Sequence, residues 1–276
     1  MEDFLRSLLQ RFFSVMNWQL QDAQNNILQT PETFFGHDKW TALLQICASA
    51  IMPLALTILG FCIAVDLYHL YDKNNGSLDI EVFTMEIVKF IIPFLLISNT
   101  YGLLDAITKL VNSSLQSMSN LMQYSPAQMS LQIDKILPQL TSQNIFGQIG
   151  YLLELLPLTI LMNILGMMIY VIIVARLFEI AMLWLISPIP TAFMVDANER
   201  QIGTAFYKQF FAVLLQGFLM MICLYLFNIL ITNFMERTAP GLTGLRTLWA
   251  YIAMGNIGAF SLFKTGSLAK RIINTF

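Results

Sequence analysis

The sequence predicts an all-α, polytopic membrane protein with about five transmembrane helices and an amphipathic helix at its N-terminus. Apolar residues make up 57% of the 276 residues, and they lie in long runs that contain few charges. One such run, residues 155–175, would cover roughly 30 Å as a helix, which is the thickness of a bilayer core. Such runs exclude a soluble protein, whose apolar residues follow helical or alternating spacing, and a β-barrel, whose strands alternate apolar with polar residues.

Residues 1–40 are predicted to form an amphipathic N-terminal segment. From Phe4 to Met16, apolar residues recur at three- and four-residue spacing, and polar residues occupy the opposite face. This helix lies either in the membrane interface, with Trp18 as an anchor, or against a neighbouring protein surface, and the spans that follow favour the interface. Thr30, directly before Pro31, is the predicted N-cap of the next helix.

Several later segments are long and apolar enough to cross a membrane. They are residues 41–65, 85–104, 155–175, 206–232 and 245–263. Residues 41–104 thus hold the first two transmembrane helices, and residues 151–263 hold the last three. Between them, residues 105–150 are predicted to form an extracytoplasmic helical region of mixed polarity, which is either a solvated connector or a surface for partners.

A Pro-containing segment on the cytoplasmic side is predicted at residues 180–204. Within it, residues 180–194 contain Pro188 and Pro190 and are short for a crossing. They suit an interfacial or re-entrant segment, with a sixth crossing as the alternative.

The tail, residues 264–276, carries the clearest charge signal. Its basic residues are Lys264, Lys270 and Arg271, and it has no acidic residue. The positive-inside rule therefore predicts a basic cytoplasmic tail and a cytoplasmic C-terminus. Five crossings then place the N-terminus outside.

Catalytic and cofactor motifs are missing from the sequence. It has no phosphate-binding glycine loop, dinucleotide fingerprint, zinc-protease motif or nucleophile elbow. The cysteines lie in apolar runs, and His37 and His69 are far apart. We therefore expect no enzyme activity and no catalytic, cofactor-binding or metal-binding residue. The net charge of −2 provides no basic field for nucleic acid, so any DNA contact would be local or shared among subunits.

Arg176 and Glu179 lie three residues apart, directly after the apolar run at residues 155–175. Charged residues inside a membrane usually mark an ion or substrate path. The alternative places both at the cytoplasmic end of the third span, where they snorkel to the headgroups. We favour this alternative because the preceding run is already long enough to cross.

Other polar and small residues are expected to connect helices rather than to bind a substrate. Amide side chains suit hydrogen bonds between membrane helices, and glycines suit close approach of helices. The amides expected to do this are Asn163, Gln216, Asn228 and Asn256. The predicted helix-packing or polar-lining residues are Arg176, Glu179, Ser187, Pro188, Pro190, Gln216, Asn228, Gly255, Asn256 and Gly258.

One segment resembles a known family. It consists of Ser187-Pro188-Ile189-Pro190, followed by Gly203, Tyr207, Phe210-Phe211-Ala212, Gln216-Gly217-Phe218 and the apolar run after them. This pattern is similar to the core of the TrbL-like family, the polytopic inner-membrane channel subunits of conjugative type IV secretion systems, in the form found on mobile elements of Gram-positive bacteria. Many relatives carry long extensions after the last span, whereas this sequence stops at Phe276.

The resemblance implies a non-enzymatic channel or scaffold subunit of the cytoplasmic (inner) membrane that helps single-stranded DNA with bound relaxase to cross. It implies a homo-oligomeric ring, for which a pentamer is one candidate size. The other implied partners are cytoplasmic ATPases, a coupling protein, membrane lipid and, transiently, single-stranded DNA. The alternative from the residues themselves is a small-solute transporter or ion channel that uses an intramembrane Arg176/Glu179 pair.

Overall fold

The computed structural model describes residues 6–7, 9–10, 21–73, 80–122, 145–194, 199–237 and 244–274. Every element in these ranges is a helix, which confirms the all-α prediction. The helices are α1 (Pro31–Phe35), α2 (His37–Lys73), α3 (Ile80–Ser98), α4 (Thr100–Leu121), α5 (Ile145–Ile186), α6 (Pro188–Ala192), α7 (Arg200–Arg237) and α8 (Gly244–Asn274). Residues 21–27 are also helical.

Three of these helices are long and apolar enough to cross a membrane. The qualifying parts are His37–Lys73, Leu153–Ile186 and Arg200–Phe234. The last part of α3, Phe90–Ser98, and the helix α4 meet at a bend of 65°. If the two are counted together as one broken span, the number of spans is four. The three helices overlap the predicted spans at residues 41–65, 155–175 and 206–232, and the bent pair overlaps the one at 85–104. The chain is therefore a multi-pass membrane protein.

The fifth predicted span differs from the expectation. It lies on α8, which is not among the described helices that reach the required length of apolar sequence. The reason is composition, because Arg246 and Asn256 interrupt the apolar residues of α8, and glycines add little. By length and composition the described residues therefore support three to four spans rather than five.

The boundary after the third span also differs. The proline segment was expected to begin at residue 180, but α5 continues to Ile186 without a break. The chain turns only at Ser187, and Pro188 occupies the first turn of the short helix α6. Proline suits that position because its missing N–H would have no partner in a helix N-terminus.

The start of α1 follows the prediction. The side chain of Thr30 accepts a hydrogen bond from the backbone N–H of Thr33, and the Thr33 side chain caps the Thr30 N–H in return. Gly36 then has a φ of +87°, in the left-handed region that glycine adopts without steric cost, and α2 begins at the next residue.

The chain divides into two compact units. The first unit is Met1–Leu28, Ser114–Ala175 and Gln216–Ala269, and the second unit is Gln29–Ser113, Arg176–Leu215 and Lys270–Phe276. Some predictions fall outside the described residues. These are most of the amphipathic helix with Trp18, and residues 123–144 of the region predicted to be extracytoplasmic.

In the first unit, α8 runs antiparallel along α7. Tyr251 packs against Phe234 with ring centroids 5.9 Å apart. Further along, Gly258 faces the ring of Phe227. Residues 21–28 of the N-terminal segment belong to the same unit, where the Gln24 side chain donates to the Ser119 hydroxyl at 2.6 Å.

In the second unit, two apolar clusters form the core. The larger one gathers Trp40, Leu104, Ile180, Ala181, Trp184, Phe210, Val213 and Leu214. The smaller one contains Ala55, Leu59, Ile97 and Ala192. The α6 turn is thus buried on one side by α2 and α3, and this packing positions the polar groups that follow it in sequence.

Candidate functional site

A short chain of hydroxyl groups holds the turn between α5 and α6. The Ser187 hydroxyl donates to the carbonyl of Trp184 at 2.7 Å, and the Thr191 hydroxyl donates to the carbonyl of Ser187 at 2.7 Å. Because the Thr191 hydrogen is used in this way, the Tyr207 hydroxyl of α7 is the donor in their 2.8 Å contact. Each of these carbonyls also accepts a backbone N–H at 3.3 Å, that of Ser187 at Trp184 and that of Thr191 at Ser187, so the hydroxyls add a second bond to each.

The predicted residues Ser187, Pro188 and Pro190 are all buried in this turn. They pack inside the second unit, so within this unit they do not line an open surface. Thr191 and Tyr207 complete the arrangement. Tyr207 was part of the family resemblance, whereas no sequence pattern singled out Thr191.

At Gly203, α7 passes close to the α6 turn. A Cβ atom built at this position would lie 2.8 Å from the backbone carbonyl oxygen of Pro190, and it would also overlap the side chain of Met194. Ordinary contacts of a Cβ atom begin near 3.4 Å. Only glycine therefore allows this close approach.

Arg176 is buried between α5 and α7. Its side chain is 4% exposed, and its Nε donates to the carbonyl oxygen of Val213 at 3.1 Å. The expectation that Arg176 snorkels to the headgroups is therefore not met, because the guanidinium turns inward onto the neighbouring helix. A buried cation needs such acceptors, since desolvation without them costs several kcal/mol.

Glu179 lies one turn further along α5 and joins three helices. Its Oε1 accepts from Nζ of Lys270 at 3.0 Å and from Nε2 of Gln209 at 3.5 Å. The Glu179 and Lys270 side chains are 30% and 48% exposed. The two charged residues that sequence spacing grouped as one pair thus have separate surroundings, one buried and one open to solvent.

An aromatic cluster covers the other side of α5. Trp184 packs edge-on against Trp40 with centroids 5.5 Å apart, and Phe35 packs against Phe178 at 5.3 Å. The Tyr101 hydroxyl donates to the carbonyl of Leu185 at 3.0 Å. These contacts tie α1, α2 and α4 to the end of α5.

The predicted residues of the first unit pack helices in two different ways. Gly258 and Gly255 permit close approach of helices. A Cβ atom at Gly258 would lie 2.9 Å from the ring of Phe227, and a Cβ atom at Gly255 would lie 3.3 Å from the Leu165 side chain. The buried carboxamide of Gln216 fills the space beside Gly266, where a Cβ atom would lie 3.2 Å from its Nε2.

The asparagine amides behave differently from the expectation. Asn256 donates to the carbonyl of Ile252 at 3.0 Å, and Asn163 donates to the carbonyl of Thr159 at 2.9 Å. Both bonds lie within one helix rather than between helices, since an asparagine side chain on a helix can donate to the carbonyl four residues earlier. Asn228 is half-buried on α7.

The geometry of these groups joins helices and does not assemble a catalytic constellation among the described residues. In the same residues, no group of three or more histidine, cysteine, aspartate or glutamate side chains could hold a metal ion. The chemistry that the arrangement does offer is hydrogen bonding to backbone carbonyls and a solvent-exposed ion pair.

Comparison with known proteins gives one match. A family model described as TrbL/VirB6 plasmid conjugal transfer like protein matches residues 16–188, which is more than half of the chain. The match ends at Pro188, so Gly203, Tyr207 and Gln216, which carried much of the resemblance, lie beyond it. No curated protein and no solved structure matches the chain. The extent of the family match, together with the multi-pass helical fold, shows that the chain belongs to the TrbL/VirB6 family of plasmid conjugal transfer-like proteins.

Proposed function

We propose that the chain is a channel or scaffold subunit of a conjugative type IV secretion system, and that it helps single-stranded DNA with bound relaxase to cross the cytoplasmic membrane. The family match over residues 16–188 is the observation that carries this proposal. Membership of the family makes the chain a membrane component of conjugal transfer, and it implies contacts with other components of that machinery. The passage of DNA is the step that we add.

The surroundings of Arg176 support a structural subunit over the alternative of a solute transporter. A coupling group must be able to reach the substrate or ion path, but Arg176 is 4% exposed and binds the carbonyl of Val213 on α7. Glu179 is engaged by Lys270 and Gln209. Both charges therefore hold helices together.

The packing of α8 supports a fifth crossing, although its composition alone does not reach that of a span. Its contacts with α7 run from Phe234, beside Tyr251, to Gln216, beside Gly266. This stretch of α7 is about 27 Å long at 1.5 Å per residue, which is close to the thickness of a bilayer core. A helix that follows a spanning helix over this length crosses with it, and its small residues face the partner.

We further propose that the C-terminus is cytoplasmic, since Lys264, Lys270 and Arg271 follow the last apolar segment. Five crossings then place the N-terminus outside, whereas an even number would place both termini on one side. In the assembly, the chain would form a homo-oligomeric ring that works with the cytoplasmic ATPases and the coupling protein.

The test of function is a gene deletion in the native mobile element. DNA transfer to recipient cells is measured for the wild type, for the deletion and for the deletion complemented in trans. We expect transfer to be lost in the deletion and restored by complementation. Transfer at the wild-type level in the deletion would contradict the proposal.

A second measurement distinguishes a conjugation subunit from a solute transporter. An Arg176→Ala protein that accumulates normally but abolishes uptake of a solute would support a transporter, and it would count against the conjugation proposal. We expect instead that Arg176→Ala lowers the amount of folded protein and lowers transfer in proportion, because the substitution removes a buried contact between α5 and α7.

A further inference from the structure

A polar cleft of about 640 Å³ opens against α7 in the second unit. Its lining includes Gln201, Thr204 and Lys208, which recur at three- and four-residue spacing and therefore share one face of α7, and Gln209 follows Lys208 at the edge of this face. Lys270 of α8 also lines it. The described lining thus offers two ammonium groups, two amides and one hydroxyl, and it contains no carboxylate.

The charge balance of the cleft favours an anion. Glu179 lies beside it and is paired with Lys270 at 3.0 Å, while Gln209 donates to the same carboxylate. The exposed ammonium of Lys208 adds a second positive charge. Among the residues that the structure describes, two lysines against this one carboxylate leave a net positive charge, and the donors around it suit the oxygens of a phosphate group.

The position of the cleft on α7 indicates which phosphate it would hold. The polar lining ends at Gln209, and from Phe210 onwards the helix continues as an apolar, membrane-spanning segment. Phe211, one turn beyond Lys208, is 43% exposed. A cationic cleft at the polar end of a spanning helix, with an exposed apolar side chain beside it, lies where a lipid headgroup meets its acyl chains.

We propose that this cleft binds the phosphate of an anionic phospholipid, with Lys208 and Lys270 as donors and the acyl chains along the exposed apolar face of α7 that includes Phe211. Glu179 competes with the phosphate for Lys270 and so limits the affinity. The site would hold a lipid whether the chain acts as a conduit or as a scaffold.

The test uses the full chain purified in mild detergent and titrated with phosphatidylglycerol or phosphatidylcholine, with bound lipid counted by native mass spectrometry. We expect the wild type to retain phosphatidylglycerol in preference to phosphatidylcholine. Lys208→Gln should weaken this binding about fivefold, because one cation near a headgroup contributes about this factor to the binding constant. Lys264→Gln removes the same charge from α8 outside the lining and should leave the binding unchanged.

A second variant moves the affinity in the opposite direction. Glu179→Gln frees Lys270 from its carboxylate partner, so phosphatidylglycerol should bind more tightly, again by about fivefold. Opposite shifts in Lys208→Gln and Glu179→Gln cannot come from a general loss of folding. The circular dichroism of each variant confirms that its helices are intact.

Four outcomes would overturn the proposal. The first is equal binding of the two lipids by the wild type. The second is an equal effect of Lys208→Gln and Lys264→Gln. The third is Lys208-dependent binding of a thymidine oligonucleotide that phosphatidylglycerol does not displace, which would assign the cleft to a nucleic-acid backbone. The fourth is displacement of the lipid by equimolar inorganic phosphate, which would show that free phosphate, and not a lipid, is the ligand.

Discussion

Replacement of Gly203 by alanine should loosen the packing of α7 on the α6 turn. The added Cβ would lie 2.8 Å from the carbonyl oxygen of Pro190, about 0.6 Å inside the 3.4 Å at which ordinary contacts begin. The overlapping side chain of Met194 can rotate away, but the Pro190 oxygen belongs to a buried backbone. The helix itself must therefore move.

The magnitude of this effect follows from two opposing terms. Alanine in a helix interior is more favourable than glycine by about 1 kcal/mol. Overpacking of a close contact costs about 1–3 kcal/mol. Gly60 provides the matched control, because it lies inside α2 and a Cβ there meets no atom within 4 Å. The difference between Gly60→Ala and Gly203→Ala isolates the overpacking term.

The assay is thermal unfolding of the purified full chain in one detergent at one scan rate. For a protein of this size, each kcal/mol shifts the midpoint by about 2–4 °C. We therefore expect Gly203→Ala to unfold about 2–12 °C below Gly60→Ala. Equal midpoints for the two variants would refute the close approach of α7 to the Pro190 carbonyl.

Three further predictions concern one hydrogen bond, the crossing by α8 and one buried amide. Tyr207→Phe removes a hydrogen bond to Thr191 and should lower the free energy of unfolding by about 1 kcal/mol. The control Tyr225→Phe, at an exposed position, should leave the midpoint of thermal unfolding unchanged, and equal midpoints for the two variants would contradict the prediction. In a cysteine-free background, Arg246→Cys and Ser267→Cys near the two ends of α8 should react with an impermeant thiol reagent from opposite sides of the membrane, and labelling from one side only would exclude a fifth crossing. Gln216→Leu should reduce assembly or transfer at normal protein levels, because the branched side chain does not reproduce the fit of the carboxamide against Gly266; unchanged transfer would remove Gln216 from that role.

The long apolar helices were predictable because twenty consecutive apolar residues have few alternatives to a membrane span. A turn after α5 was predictable because prolines end helices. Its start was predicted at residue 180, whereas α5 continues to Ile186. Residues 180–186 contain no breaker, and the helix simply continues through them. A span was predicted on α8 because residues 245–263 are mostly apolar. That prediction gave too little weight to Arg246 and Asn256, which lower the apolar content.

The partners of the charged residues could not be predicted from the sequence. Arg176 binds a carbonyl 37 residues away, and Glu179 pairs with a lysine 91 residues away. Such contacts depend on which faces of two helices meet, and spacing within one helix does not encode this. For the same reason, Asn256 was expected to bind a neighbouring helix, whereas its amide donates to the Ile252 carbonyl of its own helix.

The uncharged part of α5 matches the thickness of an ordinary bilayer. It lies between Glu154 and Arg176, and its residues 155–175 make about 32 Å of helix against a hydrocarbon core of about 30 Å. A tilt of about 20°, the average for membrane helices, brings the two lengths to the same value. The hydrophobic mismatch is then close to zero, so a bilayer of ordinary thickness covers this segment without thinning or thickening. A thinner or thicker membrane would act on the tilt of this helix.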